Sequence, residues 1–163
     1  MLFLGELRRC IQKYGKENIV YFDESGFEDE TIRLSGWSSR GKRIKGDVSG
    51  TGKRRRTNLI MAQRRDQWLA PMLFKLSCNS EVVKTWMESM LLPELVRPSV
   101  IIMDNAAFHK KSEIRELLHE HGHKLLSLPP YSPDFNPIEQ SFAILKKRRL
   151  STQPSEPLEK LLM

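Results

Sequence analysis

Ser99-Val100-Ile101-Ile102-Met103-Asp104 is a short, wholly apolar run closed by an acid. It is too brief for a helix and apolar on both faces, as a strand buried in the middle of a sheet is. Beyond it, Ser112 opens a helix with Glu113 and Glu116 in its first turn and Gly122 after its end, and His123 to Leu128 forms a further strand. Before it, Val82, Val83, Trp86, Met87, Met90 and Leu91 recur at three and four residues, an amphipathic helix with Asn79 or Ser80 as N-cap and Pro93 as terminator. Strands joined through helices become parallel neighbours.

Further out, Ile19 to Phe22 is a second compact apolar run, bounded by Asn18 and Ser25-Gly26, and reads as a buried strand ending at Asp23. Thr57 to Ala62 and Trp68 to Leu76 form a hairpin around the polar turn Gln63 to Gln67, with Pro71 the discordant residue in its second arm. The polar, basic stretch from Thr31 to Thr57 allows a strand or turn near Ile32 to Gly36 and then a long loop. Leu2 to Tyr14 has helical spacing and stops at Gly15; Asn136-Pro137 opens a last helix to about Leu150. The fold class is therefore α/β, a mixed sheet of three leading strands and then alternating helices and strands, with helices packed on it. A chain of 163 residues makes one domain of ordinary size. Its expected divisions are a helical stub over 1–17, the main domain over 18–150 and a short, truncated tail over 151–163.

The 27 Lys and Arg exceed the 20 Asp and Glu, giving a net charge of +7, which favours an anionic partner, nucleic acid first. Arg40, Lys42, Arg43, Lys45, Lys53, Arg54, Arg55 and Arg56 crowd the early loop, and Lys146 to Arg149 form a second cluster. Both suit a phosphate-gripping surface, and both also suit a solvated loop and helix end. Cys10 and Cys78 are too few and too far apart for a disulfide framework or a cysteine zinc site. The start lacks a signal-peptide pattern, and no apolar run is long enough to span a bilayer.

Chemistry concentrates on three acids. Asp23 and Asp104 each follow an apolar strand, where α/β folds place ligands, and neighbouring strands would bring the two carboxylates together. Two like charges buried side by side need a cation, and hard oxygen ligands suit Mg²⁺ or Mn²⁺. Glu139 stands in the first turn of the last helix behind a lead-in stiffened by Pro130, Pro133 and Pro137. Singly, each has a plainer reading: a strand-end turn for either Asp, and for Glu139 a capping box reaching back to Asn136. His119, His121 and His123 lack a fourth ligand and a continuous helix, so zinc is not expected there. Trp68 and Trp86 read as core residues, whereas Trp37 in the basic loop is a candidate for stacking on bases.

Three segments carry a family resemblance: Tyr21-Phe22-Asp23-Glu24-Ser25-Gly26-Phe27, Met103-Asp104-Asn105-Ala106-Ala107-Phe108-His109, and the twelve residues from Leu128 to Glu139, Leu-Pro-Pro-Tyr-Ser-Pro-Asp-Phe-Asn-Pro-Ile-Glu. Together they resemble the DDE transposases of the mariner superfamily, in its bacterial insertion-sequence branch. The resemblance implies a ribonuclease H-like fold with Asp23, Asp104 and Glu139 as catalytic metal ligands for Mg²⁺ or Mn²⁺, two ions in all. It further implies cleavage at transposon ends and transfer of the freed 3′-hydroxyl into target DNA, the chemistry of two-metal phosphoryl transfer. Asn105 and His109 are candidates to orient the scissile phosphate or a metal ligand. Arg40, Lys42, Arg43, Lys53, Arg54, Arg55, Arg56, Lys146 and Lys147 are the candidate DNA contacts. The expected partners are transposon-end and target DNA, a second copy of the chain in the active complex, and a helix-turn-helix end-recognition module on a separate chain, with no membrane. The expected location is the bacterial cytoplasm, at the chromosome. The competing readings are another ribonuclease H-like nuclease and a non-catalytic, DNA-binding transposase remnant.

Overall fold

A computed structural model of the chain describes residues 2–28, 40, 56–104, 111–130, 132–152 and 156–163. The expected strand or turn at Ile32 to Gly36, Trp37, most of the basic loop (Lys42, Arg43, Lys45, Lys53, Arg54 and Arg55), Asn105 and His109 lie outside the described residues.

The order is α1 (Leu2–Tyr14), β1 (Ile19–Glu28), β2 (Arg56–Arg64), β3 (Gln67–Phe74), α2 (Ser80–Trp86), α3 (Leu92–Glu94), β4 (Val100–Met103), α4 (Lys111–Glu120), β5 (Lys124–Ser127) and α5 (Ile138–Ser151). The strands form one sheet in the order β3-β2-β1-β4-β5. β1 pairs antiparallel with β2 and parallel with β4; β2–β3 is the antiparallel hairpin and β4–β5 the second parallel pair. This is the mixed sheet that the strand and helix order implied.

Alternation along the strands sorts the core into two layers. Val20, Phe22, Ile60, Ala62, Ile101 and Met103 pack with Val83, Trp86 and Leu91 on one face and with Ile114 and Leu118 of α4. On the other face Phe27, Leu59 and Met61 meet Ile138, Phe142 and Leu145 of α5, and Ile19, Val100, Ile102 and Leu126 meet Phe3 and Cys10 of α1. Val100 to Met103 are fully buried because helices cover both sides of β4.

Three local expectations need correction. First, β1 does not end at Asp23. Its ladder with β2 runs from Tyr21 opposite Gln63 to Glu28 opposite Arg56, and these cross-strand bonds hold Ser25-Gly26 in the strand. Gly26 therefore lies within the strand beside the Arg56 guanidinium and not in a turn. Second, Pro93 does not terminate the amphipathic helix. Asn79 caps α2 as expected, its side chain accepting the Val82 N–H at 2.9 Å. The helix then widens into a π turn over Met87–Leu91 and continues through Pro93 to Glu94. A widened turn accommodates a proline, which supplies no N–H and crowds the preceding carbonyls. Third, the hairpin turn is shorter than Gln63 to Gln67: only Arg65-Asp66 separate the strands.

Pro71 is accommodated because β3 is an edge strand and is bulged there. Ile60 faces Met72 and Ala62 faces Leu69, so Ala70 and Pro71 together oppose Met61. Ala70 takes a positive φ of 48°, and its backbone groups, released from the ladder, find side chains instead. The Ala70 N–H donates to Glu94 Oε1 at 3.0 Å, and the Ala70 carbonyl accepts the Trp86 indole N–H at 2.7 Å.

Candidate active site

The parallel pairing of β1 with β4 sets Ile19, Val20 and Tyr21 against Val100, Ile101 and Ile102. Carried forward two places, this register brings Asp23 level with Asp104 on adjacent strands, which run about 4.8 Å apart. By alternation Asp23 belongs with Ile19 and Tyr21 on the face that α5 covers. Glu139 sits in the first turn of α5, so all three acids occupy one end of one face of the sheet.

Asp23 is half-buried and held at both oxygens: Oδ1 accepts the Glu24 backbone N–H at 2.8 Å, and Oδ2 accepts from Asn136 Nδ2 at 3.2 Å. Its carboxyl is raised to about 7, first by burial and then by the charge of Glu24. The Glu24 N–H partly opposes the rise, and the charges of Asp104 and Glu139 add to it. Asp104 and Glu139 are therefore within electrostatic reach of Asp23.

The plainer reading of Glu139 as half of a capping box does not hold. Among the described residues no side chain caps α5; its N-cap is Pro137, and Asn136 turns its amide away toward Asp23. Glu139 is exposed, and its backbone N–H bonds the Asn136 carbonyl at 3.2 Å. The site thus includes a residue that sequence reasoning had assigned only to capping. Asn136 lies 113 residues from Asp23, and nothing local in the sequence announces that contact.

The donor set fits a divalent cation. Three carboxylates offer hard oxygen ligands, and a charge placed among them would offset the repulsion and burial that push the Asp23 carboxyl up. Among the described residues no three His, Cys, Asp or Glu groups stand close enough to form a ready ligand cluster, so the acids are poised near one another and not closed into a shell.

The remaining candidates fall out as follows. His123 is buried and its Nδ1 accepts the Ser99 N–H at 3.1 Å, while His121 bonds the Leu117 carbonyl at 2.9 Å and His119 is exposed on α4. His123 and His121 thus serve local backbone contacts. Cys78 lies near Asp23 and Glu24, and its thiol is pushed up to about 12 by burial and those two charges. Arg40, Arg56, Lys146 and Lys147 are exposed. Arg149, counted with them in the second basic cluster, is buried and donates from Nη1 to the Glu156 carbonyl at 2.7 Å. The cluster is split because α5 turns Arg149 inward, toward the C-terminal segment. Trp86 is core as expected, and Trp68 packs beside Leu73 against the α5 layer.

The model of the DDE superfamily endonuclease family matches residues 18–162, a span that contains all three acids. The chain belongs to the DDE superfamily endonucleases. This DDE domain also resembles solved structures of the Mos1 mariner transposase. Against the Mos1 paired end complex with Mg the TM-score is 0.72 at 19% identity, over 97% of this chain and 49% of that one. Against the Mos1 strand transfer complex it is 0.69 at 17% identity, over 97% and 49%. The isolated Mos1 catalytic domain gives 0.62 at 15% identity, over 98% and 74%. Likeness at this level establishes the ribonuclease H-like fold, as the sequence led one to expect. The DDE domain spans about half the length of the Mos1 chains in the complexes. No curated protein sequence matches it.

Proposed function

We propose that this DDE domain is the catalytic domain of a transposase of the mariner superfamily's bacterial insertion-sequence branch, cutting DNA at transposon ends and joining the freed 3′-hydroxyl to target DNA. The observation that carries the reading is the placement of Asp23, Asp104 and Glu139 at one end of one face of the sheet, from β1, β4 and α5. Membership of the DDE endonucleases and the likeness to Mos1 complexes with transposon DNA support it. The same reading assigns the working site to a dimer on paired ends in the bacterial cytoplasm, with end recognition supplied by a helix-turn-helix module.

Asp23, Asp104 and Glu139 would hold Mg²⁺ or Mn²⁺, two ions in the working site. When bound, such ions supply Lewis acidity toward phosphoryl oxygens and a nucleophile at neutral pH. The chain's own residues do the positioning. Asp23 presents a carboxylate whose direction is fixed by hydrogen bonds at both oxygens. Asp104 enters from the neighbouring strand, with Met103 and Ile102 anchored in the core behind it. Glu139 stands in the open at the start of α5, where a phosphodiester can reach it. Lys146 lies seven residues further, on the same helical face and about 10 Å along the axis, a spacing that suits a DNA backbone running down α5.

The test is metal-dependent cleavage and strand transfer on a short duplex with a pre-nicked 3′-end, comparing wild type with Asp104→Ala and Glu139→Gln. Joining in Mg²⁺ or Mn²⁺ that both substitutions abolish is the expected result. DNA binding without joining would favour the non-catalytic remnant, and cleavage without joining another ribonuclease H-like nuclease.

A further inference from the structure

Asn136 takes part in the site in a way that neither the three acids nor helix capping explains. It is 3% exposed, and it spans the gap between two of the elements that carry acids. Its side-chain Nδ2 donates to Asp23 Oδ2 on β1 at 3.2 Å, while its backbone carbonyl accepts the Glu139 N–H at 3.2 Å as α5 begins. Asp23 and Glu139 therefore meet through one residue. The turn before it is braced as well: Phe135, in the 3-10 turn Pro133–Phe135, lies with its ring centroid 5.7 Å from that of Phe3 on α1. The other amide atom, Oδ1, is buried and accepts no hydrogen bond from any described residue.

We propose that Asn136 is a positioning residue for the cation site, its amide fixing the rotation of the Asp23 carboxylate and its separation from Glu139. This deepens the transposase reading and rests on it. Groups that hydrogen-bond to metal-ligating side chains hold those ligands in their binding orientation, and losing one weakens metal affinity by about 10- to 100-fold. The amide is suited to the role because its N–H donates to a carboxylate without adding a charge, whereas lysine or arginine there would compete with the cation.

Ser141 provides the matched control. It lies on α5, is also buried, and ties the helix to the sheet by donating from Oγ to Gln63 Oε1 at 2.7 Å, with no hydrogen bond to an acid among the described residues. Mn²⁺ binding, followed by the loss of the free-ion electron paramagnetic resonance signal, is to be measured on the full chain as wild type, Asp104→Ala, Asn136→Ala and Ser141→Ala. The expected result is a Kd raised at least about tenfold by Asn136→Ala and moved less than about twofold by Ser141→Ala. Should Asn136→Ala fail to fold, Asn136→Ser gives the same answer, since its hydroxyl is too short to reach Asp23. Equal effects at 136 and 141, or none at 136 while Asp104→Ala abolishes binding, would overturn the role of Asn136 and leave the transposase reading standing. Binding that Asp104→Ala does not weaken would instead overturn the reading on which it rests.

Discussion

At the scale of single residues, the site separates side chains that serve chemistry from those that serve stability. Glu139 is exposed and caps nothing among the described residues, so Glu139→Gln is expected to abolish strand transfer while changing unfolding free energy by no more than about 0.5 kcal/mol, the usual range for surface substitutions. Parallel denaturant melts and joining assays check both halves of that statement. His123 is the opposite case. Burial, and secondarily His121, lower its pKa below the ordinary 6.5, and its Nδ1 must stay unprotonated to accept the Ser99 N–H. In the unfolded chain the imidazole takes up a proton near pH 6.5, before the folded one does. Between those two values the unfolded state binds more protons, so stability rises with pH there. The contribution is complete above about pH 6.5 and is lost as pH falls through the lowered folded value. His123→Asn, which retains an acceptor but cannot titrate, is expected to flatten that part of the stability profile. A profile as steep as wild type would remove His123 as its source.

At the scale of elements, the β3 bulge shows how an edge strand carrying a proline is integrated into the fold. Pro71 removes a ladder donor, Ala70 adopts a positive φ, and the displaced Ala70 N–H and carbonyl are taken up by Glu94 and Trp86. Because Ala70 is buried, Glu94→Ala strands a backbone donor, and a loss of about 1 to 3 kcal/mol is expected in denaturant unfolding. A loss no larger than at an exposed glutamate such as Glu81 would show that water satisfies the bulge. The same element shows where periodicity misleads. Val82 to Leu91 carries helical spacing throughout, yet the chain widens into a π turn before Pro93, and no pattern of apolar residues separates that from a regular helix. α5 divides its basic residues for a packing reason: Lys146 and Lys147 face solvent, while Arg149 is one of the residues the helix buries.

At the scale of the whole molecule, the excess positive charge and the exposed basic residues of α5 lie on the chain that carries the three acids. Binding of short duplex DNA is expected to weaken steeply with salt, with log K falling by roughly 0.9 per phosphate neutralised. Replacing Arg54, Arg55 and Arg56 together by Ala is expected to flatten that slope, as is the pair Lys146→Ala and Lys147→Ala; fluorescence anisotropy across a salt series measures both. An unchanged slope would exclude the altered residues from the phosphate contact. The sequence by itself determined the order of strands and helices, because apolar runs such as Val100 to Met103 and the helical spacing from Val82 onward are local consequences of burial. It also singled out Asp23, Asp104 and Glu139, whose segments resemble one family. The tertiary structure alone decided how those segments meet: that β1 runs on past Asp23, that Asn136 turns to Asp23, and that Arg149 points inward. The first two depend on partners distant in sequence, β2 for Gly26 and Asp23 for Asn136, and the third on Glu156 beyond the end of α5; pairings of that kind leave no periodic trace in the chain.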